Sequence, residues 1–259
     1  HPNYDPASPT VKDEHIVFAI DIGDGVGRDY SVINIFRMEA KSAAMIRKTK
    51  DWTDESAFFR LMQIGMYRSN TLSVEEMSKA LEILVFRVYD FEKIKIVMEI
   101  NFKGNLVFER LQKNADFYPE LFLYTKHSLS NDQLKLGVKI QKDNKEQYSR
   151  ELRNLIQDRR VVINESKTFE ELSSFGINNQ GRYESQLGND DAAMSCVNLV
   201  TFFTSNDFPE MVEEMYDKSD ERIKQTIDLR MSVGDKSDGD IMDIFKMIKQ
   251  MGNQGYSGL

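Results

Sequence analysis

Acidic side chains stand at the boundaries of three predicted elements, where a charge beside the core needs a chemical reason. Asp21 ends the apolar run IVFAI, and Glu99 lies near the end of the run IKIVMEI. Asp190 and Asp191 begin a long apolar helix. Since neighbouring strands lie about 4.8 Å apart, such carboxylates can converge at one end of a sheet. Carboxylates suit Mg²⁺ or Mn²⁺, and two such ions about 3.5–4 Å apart activate water in phosphoryl transfer.

A glycine-rich turn, GDGVGRD, follows the first of these boundaries and places Asp24 and Asp29 beside it. A dinucleotide-binding fingerprint would have to open a helix at this point. The next segment, SVINIFR, is rich in β-branched and aromatic residues, which predicts a hairpin into a second strand. Two structural alternatives stay open. Asp21 and Asp29 can serve as turn caps, and helix capping can explain one of Asp190 and Asp191.

Composition limits the kinds of site that the chain can form. The 259 residues are 41% hydrophobic, enough for a sizeable core in one large domain or in one domain with an appendage. Cys196 is the only cysteine, which excludes an internal disulfide and a multi-cysteine zinc site. The 3 histidines show no metal-ligand spacing, so any metal must be held by oxygen.

Charge and hydropathy bear on partners and domain boundaries. The net charge of −8 argues mildly against a nonspecific nucleic-acid coat protein. No apolar run approaches the roughly 20 residues that cross a bilayer, which predicts a soluble, cytosolic protein. Residues 205–259 contain 12 Asp and Glu against 7 Lys and Arg and are predicted to form an acidic C-terminal appendage. Residues 1–14 are rich in proline and are predicted to be a linker or the remnant of a longer chain, which leaves a core domain at 15–204.

Hydrophobic periodicity and capping signals predict the elements that must position the acids. The predicted strands are 16–20, 31–37, 43–50, 94–100, 121–125 and 161–163, with a small hairpin at 174–185. The predicted helices are 58–66, 74–88, 104–112, 144–156, 168–172, 189–203, 209–218 and 241–251. This order favours an α/β fold in which three antiparallel strands precede parallel strands and helices flank the mixed sheet.

Four separate blocks resemble the nuclease domain of the large terminase subunit of tailed double-stranded DNA bacteriophages, which has a ribonuclease H-like fold. The blocks are IDIGDGVGRDYS from Ile20, VMEINFKGN from Val97, GVKIQKDNKEQYSRELRNLIQDRRVVI from Gly137 and NDDAAMSCVNL from Asn189. They occur in the order and spacing of that family and span residues 16–203. The resemblance therefore implies a ribonuclease H-like mixed sheet.

The resemblance also implies a role for each acid. The catalytic, metal-binding triad would be Asp21, Glu99 and Asp191. The secondary acids near two divalent cations, Mg²⁺ or Mn²⁺, would be Asp24, Asp29 and Asp190. The choice between the two adjacent aspartates rests on the resemblance alone. Asn189 stands where many relatives have a histidine, so any role that the family gives that histidine does not transfer.

Basic residues in the third block predict a DNA-binding segment. The loop lysines Lys139, Lys142 and Lys145 are the predicted phosphate contacts. For Arg150 and Arg153, which fall in the predicted helix, a solvated helix face is an equally good interpretation.

On this resemblance, the chain is expected to be a Mg²⁺- or Mn²⁺-dependent endonuclease that cuts double-stranded DNA during phage genome packaging. The implied partners are double-stranded DNA, an N-terminal packaging ATPase, the portal and the small terminase subunit, in the cytoplasm of an infected or prophage-carrying bacterial host. No G-x-x-x-x-G-K-[ST] motif occurs, so the motor is expected in a segment that precedes this chain.

Other classes of protein stay open. A ribonuclease H-like junction resolvase would share the triad and differ mainly in its partners. An actin-like or sugar-kinase-like ATPase would need a second phosphate loop and an adenosine pocket. A non-catalytic binding module would leave the three acids without a common purpose.

Overall fold

The computed structural model describes residues 14–23, 27, 29–49, 55–89, 91–113, 119–128, 131–178, 183–186 and 188–233. The strands are β1 (Ile16–Asp21), β2 (Ser31–Ala40), β3 (Phe59–Ser69), β4 (Ile94–Met98), β5 (Tyr124–Ser128), β6 (Asn131–Leu136), β7 (Val161–Val162), β8 (Phe175–Ile177) and β9 (Tyr183–Ser185). The α-helices are α1 (Ala43–Lys48), α2 (Val74–Ile83), α3 (Phe102–Leu111), α4 (Lys142–Gln157), α5 (Ser166–Ser174), α6 (Asp191–Phe203), α7 (Asp207–Lys218) and α8 (Glu221–Val233).

A five-stranded mixed sheet with the order β4-β1-β2-β3-β7 forms the centre of the first of two compact units. Strand β1 pairs antiparallel with β2 on one side and parallel with β4 on the other, and β3 pairs parallel with β7. Two short antiparallel pairs, β5 with β6 and β8 with β9, lie outside this sheet. The predicted α/β class is confirmed: the fold is a mixed sheet flanked by helices.

The central strand β1 is buried on both faces, which explains its uninterrupted apolar sequence. Ile16, Phe18 and Ile20 belong to a core cluster that also includes Met77 of α2 and Val107 of α3. Helix α6 packs on β1 and β4. Full burial of each such side chain stabilises the fold by roughly 1.5–3 kcal/mol relative to leaving it exposed.

The third strand of the sheet was predicted in the wrong place. Residues 43–50 were expected to form it, but Ala43–Lys48 is helical, because Ala, Met, Arg and Lys are strong helix formers and only Ile46 is β-branched. The third strand is β3, where a short helix was expected at 58–66. Burial alternates along its first half, from Phe59 to Gln63, as a strand requires.

Local signals placed several elements correctly. Ser73 and Glu76 form the predicted capping box, with Glu76 N donating to Ser73 Oγ at 3.2 Å and Ser73 N donating to Glu76 Oε2 at 2.9 Å. The predicted late helix is α6, and the predicted small hairpin is the β8–β9 pair. The predicted helix at 241–251 lies outside the described residues.

Among the described residues, the second compact unit consists of 40–49, 55–59 and 212–233. Within it α1 packs on α8, and Arg230 of α8 donates from Nη2 to the carbonyl oxygen of Thr49 at 3.0 Å. The predicted boundary after residue 204 stays a prediction. In the first unit, the chain beyond that point is still core, since Phe208 is buried against Phe202 and Phe203.

The described helices include none that is both long and apolar enough to span a membrane.

Candidate active site

The parallel register of β1 and β4 places two acidic residues side by side. Ile20 of β1 is paired with Met98 of β4 in this register. The residue after Ile20 is Asp21, and the residue after Met98 is Glu99. Both therefore emerge at the carboxyl end of the parallel pair, about one strand spacing apart. The backbone beyond Glu99 stays in the sheet environment, because Ile100 N donates to the carbonyl oxygen of Val138 at 2.8 Å.

Helix α6 brings the third predicted acid to the same end of the sheet. Asn198 of α6 donates from Nδ2 to the carbonyl oxygen of Ile20 at 3.1 Å, next to Asp21. At the start of the helix, Tyr30 N donates to Asp191 Oδ2 at 3.1 Å. The glycine-rich turn between β1 and β2 is thereby joined to α6 through this carboxylate.

Neither aspartate at the start of α6 caps its own helix. Asp190 is the N-cap residue, yet its side chain makes no capping hydrogen bond. Glu171 of α5 takes that role, accepting from Ala192 N at 2.7 Å and Ala193 N at 3.3 Å through Oε2. Helix capping, one of the alternatives that the sequence left open, therefore does not explain Asp190 or Asp191.

Burial raises the pKa values of all three predicted ligands, and the charges of neighbouring acids add to the shifts of Asp21 and Asp191. The pKa of Asp21 is raised well above its ordinary value of 3.8 by desolvation and then by the charges of Glu99, Asp191 and Asp190. Desolvation also raises the pKa of Glu99, while Lys145 opposes that shift. The pKa of Asp191 is raised to about 6, first by desolvation and then by Glu171, Asp190 and Asp29, despite the opposing hydrogen bond from Tyr30. The group is an accumulation of negative charge that a cation would stabilise.

Lys145 of α4 is the positive charge in this group. Its Nζ lies 3.7 Å from Asp190 Oδ2 and 5.5 Å from the centroid of the Phe175 ring. It lowers the pKa values of both Asp21 and Glu99. Lys145 was predicted from the sequence as a DNA contact, and the structure places it among the acids.

The structure describes only some of the remaining predicted site residues. Asp29 is exposed and close enough to Asp191 to raise its pKa, whereas Asp24 lies outside the described residues. Lys139 is exposed just before α4. Lys142 is the first residue of that helix, and its side chain is outside the described part of the structure.

The side chains of this site are of the kind that binds a hard divalent cation, because they are carboxylates. The ammonium group of Lys145 is the positive charge that now lies beside them. As placed, no three His, Cys, Asp or Glu side chains in the described ranges form a group that could hold one metal ion. Mg²⁺ is usually bound through one or two carboxylates and retains several waters, so a site for it does not require three protein ligands on one ion. Asp21, Glu99 and Asp191 are the residues that would hold such ions.

Three residues of the site had no signal in the sequence. Glu171 caps α6 from a neighbouring helix, and Arg68 donates from Nη2 to Glu171 Oε1 at 2.9 Å. The Arg68 guanidinium lies 3.8 Å from the centroid of the Tyr30 ring. Nothing in the motif FEEL distinguishes Glu171 from Glu170, which is exposed, because only the tertiary fold brings one of them to α6.

Gly104 of α3 is predicted to be essential for the position of Glu99. A Cβ at this residue would lie 2.1 Å from the Glu99 carbonyl oxygen, so either α3 or the Glu99 backbone must move. Gly104→Ala is expected to lower the free energy of unfolding by about 1–3 kcal/mol, although alanine favours helices by about 1 kcal/mol over glycine. Chemical denaturation measures the change.

The matched control is Gly65→Ala in β3, where the nearest atom to an added Cβ is Ile35 Cδ1 at an ordinary 3.8 Å. This variant is expected to unfold at the wild-type denaturant concentration. Equal stability of the Gly104 and Gly65 variants would show that α3 does not press on the Glu99 backbone.

The fold and the site together define an α/β protein with an acidic centre at the carboxyl end of two parallel strands. No protein-family model matches the chain, and no curated protein matches it by sequence. Among solved structures, the chain is similar to the large terminase nuclease from thermophilic phage G20c, with a TM-score of 0.46 and 17% sequence identity. The similarity covers 73% of this chain and 82% of that chain. Similarity at this level does not assign an activity.

Proposed function

We propose that this chain is a metal-dependent endonuclease that cuts double-stranded DNA, the nuclease portion of a phage large terminase subunit acting in genome packaging. The observation that supports the proposal most directly is the convergence of Asp21, Glu99 and Asp191 at one end of the sheet. Burial and repulsion make this cluster costly to maintain unless a cation binds there. Such a cost is typical of functional sites.

In this proposal each acid has a defined task. The pKa of Asp21 is raised by both other acids, which supports our assignment of this residue to both ions. Bound there, two divalent ions would activate an attacking water and stabilise the leaving oxygen of a phosphodiester. Tyr30 holds one oxygen of Asp191 through its backbone N–H, which orients the other oxygen.

Lys145 balances charge in this site until a cation arrives. Its ammonium group offsets the negative charge of Asp21, Glu99 and Asp190. A DNA phosphate is a competing anion for the same ammonium group. Lys145 therefore belongs to both the acid cluster and the proposed DNA surface, which continues through the exposed Lys139.

The test is incubation of supercoiled plasmid and of a four-way DNA junction with the chain in Mg²⁺, Mn²⁺ or EDTA, with ATP hydrolysis measured in parallel. Metal-dependent nicking and linearisation of plasmid supports the proposal. Cleavage confined to the junction supports a resolvase instead, and ATP hydrolysis without DNA cleavage supports the kinase-like class. No metal-dependent cleavage of either substrate would contradict the proposal.

The packaging role adds partners that the site does not specify. We propose the portal, the small terminase subunit and an N-terminal ATPase portion as these partners, with the bacterial host cytoplasm as the location. Binding of the purified chain to portal and small-subunit proteins of a matched phage would test that role separately from cleavage.

Removing Lys139 and Lys142 is predicted to weaken DNA binding uniformly across sequences. Lys139→Ala with Lys142→Ala is expected to reduce the slope of log K against log salt by about two, because each lysine contacting a phosphate releases about one counterion. Fluorescence anisotropy on a duplex at several salt concentrations, in Ca²⁺ or EDTA to prevent cleavage, gives the slope.

A double variant with the same change of net charge provides the control. Lys79→Ala with Lys113→Ala removes one lysine from α2 and one from the turn after α3, neither of them in the segment from Lys139 to Lys142. We expect this control to keep the wild-type slope. If both double variants lowered the slope equally, the effect would be one of overall charge and not of a binding segment.

A further inference from the structure

We propose that Glu171 is a positioning residue that, together with Arg68 and Tyr30, fixes the start of α6 and the orientation of Asp191. Both oxygens of Glu171 are engaged. Oε2 accepts from Ala192 N at 2.7 Å and from Ala193 N at 3.3 Å, and Oε1 accepts from Arg68 Nη2 at 2.9 Å. These contacts assign the Glu171 carboxylate to the α6 amides and to Arg68, and we do not count Glu171 among the proposed metal ligands.

Arg68 extends the contact from Glu171 to the other side of Asp191. Its guanidinium lies 3.8 Å from the centroid of the Tyr30 ring, a stacking distance that restrains both groups. Tyr30 N in turn donates to Asp191 Oδ2 at 3.1 Å. Asp191 is thus held in two ways. The capped start of α6 fixes its backbone, and the backbone N–H of Tyr30 fixes its carboxylate.

This closed set of contacts, Glu171, Arg68, Tyr30 and Asp191, is here called the α6 bracket. A cap supplied by another helix differs from an ordinary N-cap in what it leaves the N-cap residue to do. An N-cap aspartate bonded to its own helix would be unavailable for other contacts, whereas a cap supplied by α5 leaves the Asp190 side chain free to face Lys145. The cost is a third carboxylate near two aspartates, and Arg68 compensates that charge.

The expected size of the effect follows from outer contacts in metal sites, whose loss typically weakens metal affinity by about 10–100-fold. The metal-binding role of Asp191 rests on the proposed function, but the bracket itself can be tested without metal. Tyr30 N–H is bonded to Asp191 only while Asp191 is held in place, so its hydrogen exchange reports on the bracket directly.

The experiment compares wild type, Glu171→Ala, Glu171→Gln and Arg68→Lys in the full chain. Mn²⁺ binding is measured by calorimetry, and amide exchange is measured for Tyr30 and for the β1 residues in metal-free protein. Glu170→Ala is the matched control, since Glu170 is the exposed neighbour of Glu171 on α5 and pairs with Lys167 at the surface. Glu171→Gln keeps an acceptor for the α6 amides and loses most of the attraction to Arg68.

We expect Glu171→Ala to bind Mn²⁺ about 10–100-fold more weakly and to exchange the Tyr30 amide at least about tenfold faster, with β1 exchange unchanged. Glu171→Gln should recover part of both losses, and Glu170→Ala should match wild type. A merely structural role would instead accelerate exchange in β1 and at Tyr30 together, and that result would overturn the proposal. Wild-type exchange at Tyr30 in Glu171→Ala would overturn it as well, whatever the metal affinity.

Failure of the proposed function gives a different result. If wild type bound no Mn²⁺ and cut no DNA, the nuclease proposal would fall. The amide hydrogen exchange of Tyr30 in the Glu171 variants would then be the measurement that decides whether Glu171 positions Asp191.

Discussion

Asp21→Asn is expected to reduce metal-dependent plasmid cleavage by about a thousandfold while making the metal-free protein more stable at neutral pH. The loss follows because a metal supplies several kcal/mol of transition-state stabilisation and each 1.36 kcal/mol is tenfold in rate. Asparagine keeps the shape of the side chain and removes the charge that the ion requires. Residues that act as one unit do not contribute additively, so Asp21→Asn combined with Glu99→Gln should be hardly worse than either alone.

The gain in stability follows from the sign of the pKa shift. Burial and the charges of Glu99 and Asp191 raise the pKa of Asp21 in the folded protein, so its neutral form is favoured there. The stability associated with that shift is fully present below the ordinary value of 3.8 and is lost as the pH rises through the higher folded value. Asp191, whose pKa is raised to about 6, adds a loss in the same direction between about pH 4 and pH 6. Without metal, wild type should therefore melt at a lower temperature at pH 7.5 than at pH 5.

Thermal unfolding in EDTA at both pH values measures this difference, and Asp21→Asn should reduce it. The control is Asp217→Asn, which removes an exposed charge from α7 and should follow wild type in stability and cleavage. A folded Asp21→Asn protein that cut plasmid at the wild-type rate would exclude Asp21 from the proposed triad. A variant less stable than wild type at pH 7.5 would show that the Asp21 charge is compensated in the metal-free protein.

The sequence was sufficient for the fold wherever local chemistry and tertiary packing agreed. The buried run IVFAI, the capping box at Ser73 and the apolar helix after Asp191 each satisfy one strong rule, and each is found as predicted. The third strand was misplaced because Gln63, a polar residue, occupies a fully buried position in β3 and interrupts the apolar pattern. Its burial depends on hydrogen-bonding partners up to 105 residues away, which no local rule detects.

In the candidate site, too, the residues set by local rules were predicted and those set by tertiary contacts were not. Asp21 and Glu99 could be placed together because the ends of parallel strands share one edge of a sheet, and the register of β1 and β4 does place them there. Lys145 was found by its basic surroundings but given the role of a DNA contact, since its sequence neighbours do not reveal Asp190. The contact between Glu171 and α6 depends on the packing of two helices and could not be read from either helix alone.

Gln63→Leu is expected to lower the free energy of unfolding by about 2–4 kcal/mol, although it replaces a buried polar side chain with an apolar one of similar size. Gln63 Oε1 accepts from Asn164 N at 3.1 Å and Glu165 N at 3.0 Å, at the start of α5. Its Nε2 donates to Asn34 Oδ1 at 2.7 Å and to Thr168 Oγ1 at 3.0 Å. Leucine would leave several of these groups without a partner, at about 1–3 kcal/mol for each one that water cannot reach.

The matched control is Gln157→Leu at the exposed end of α4, which should change stability by less than about 0.5 kcal/mol in chemical denaturation. Equal stability of the two leucine variants would mean that the Gln63 hydrogen bonds contribute nothing beyond packing.

Gln63→Glu separates hydrogen bonding from shape. A glutamate keeps the acceptor for Asn164 and Glu165 but turns an ionised oxygen toward Asn34 Oδ1, where the amide donated before. Burial raises the pKa of such a carboxyl, so the variant should be close to wild type at pH 5 and lose stability as the pH rises. Because Asn34 also donates to the Ala192 carbonyl oxygen at 3.1 Å, this loss should reach the first turn of α6 and accelerate exchange at Tyr30. If the Gln63→Glu protein were equally stable at pH 5 and pH 8, the new carboxylate would be solvated by water and would not lie against Asn34 Oδ1.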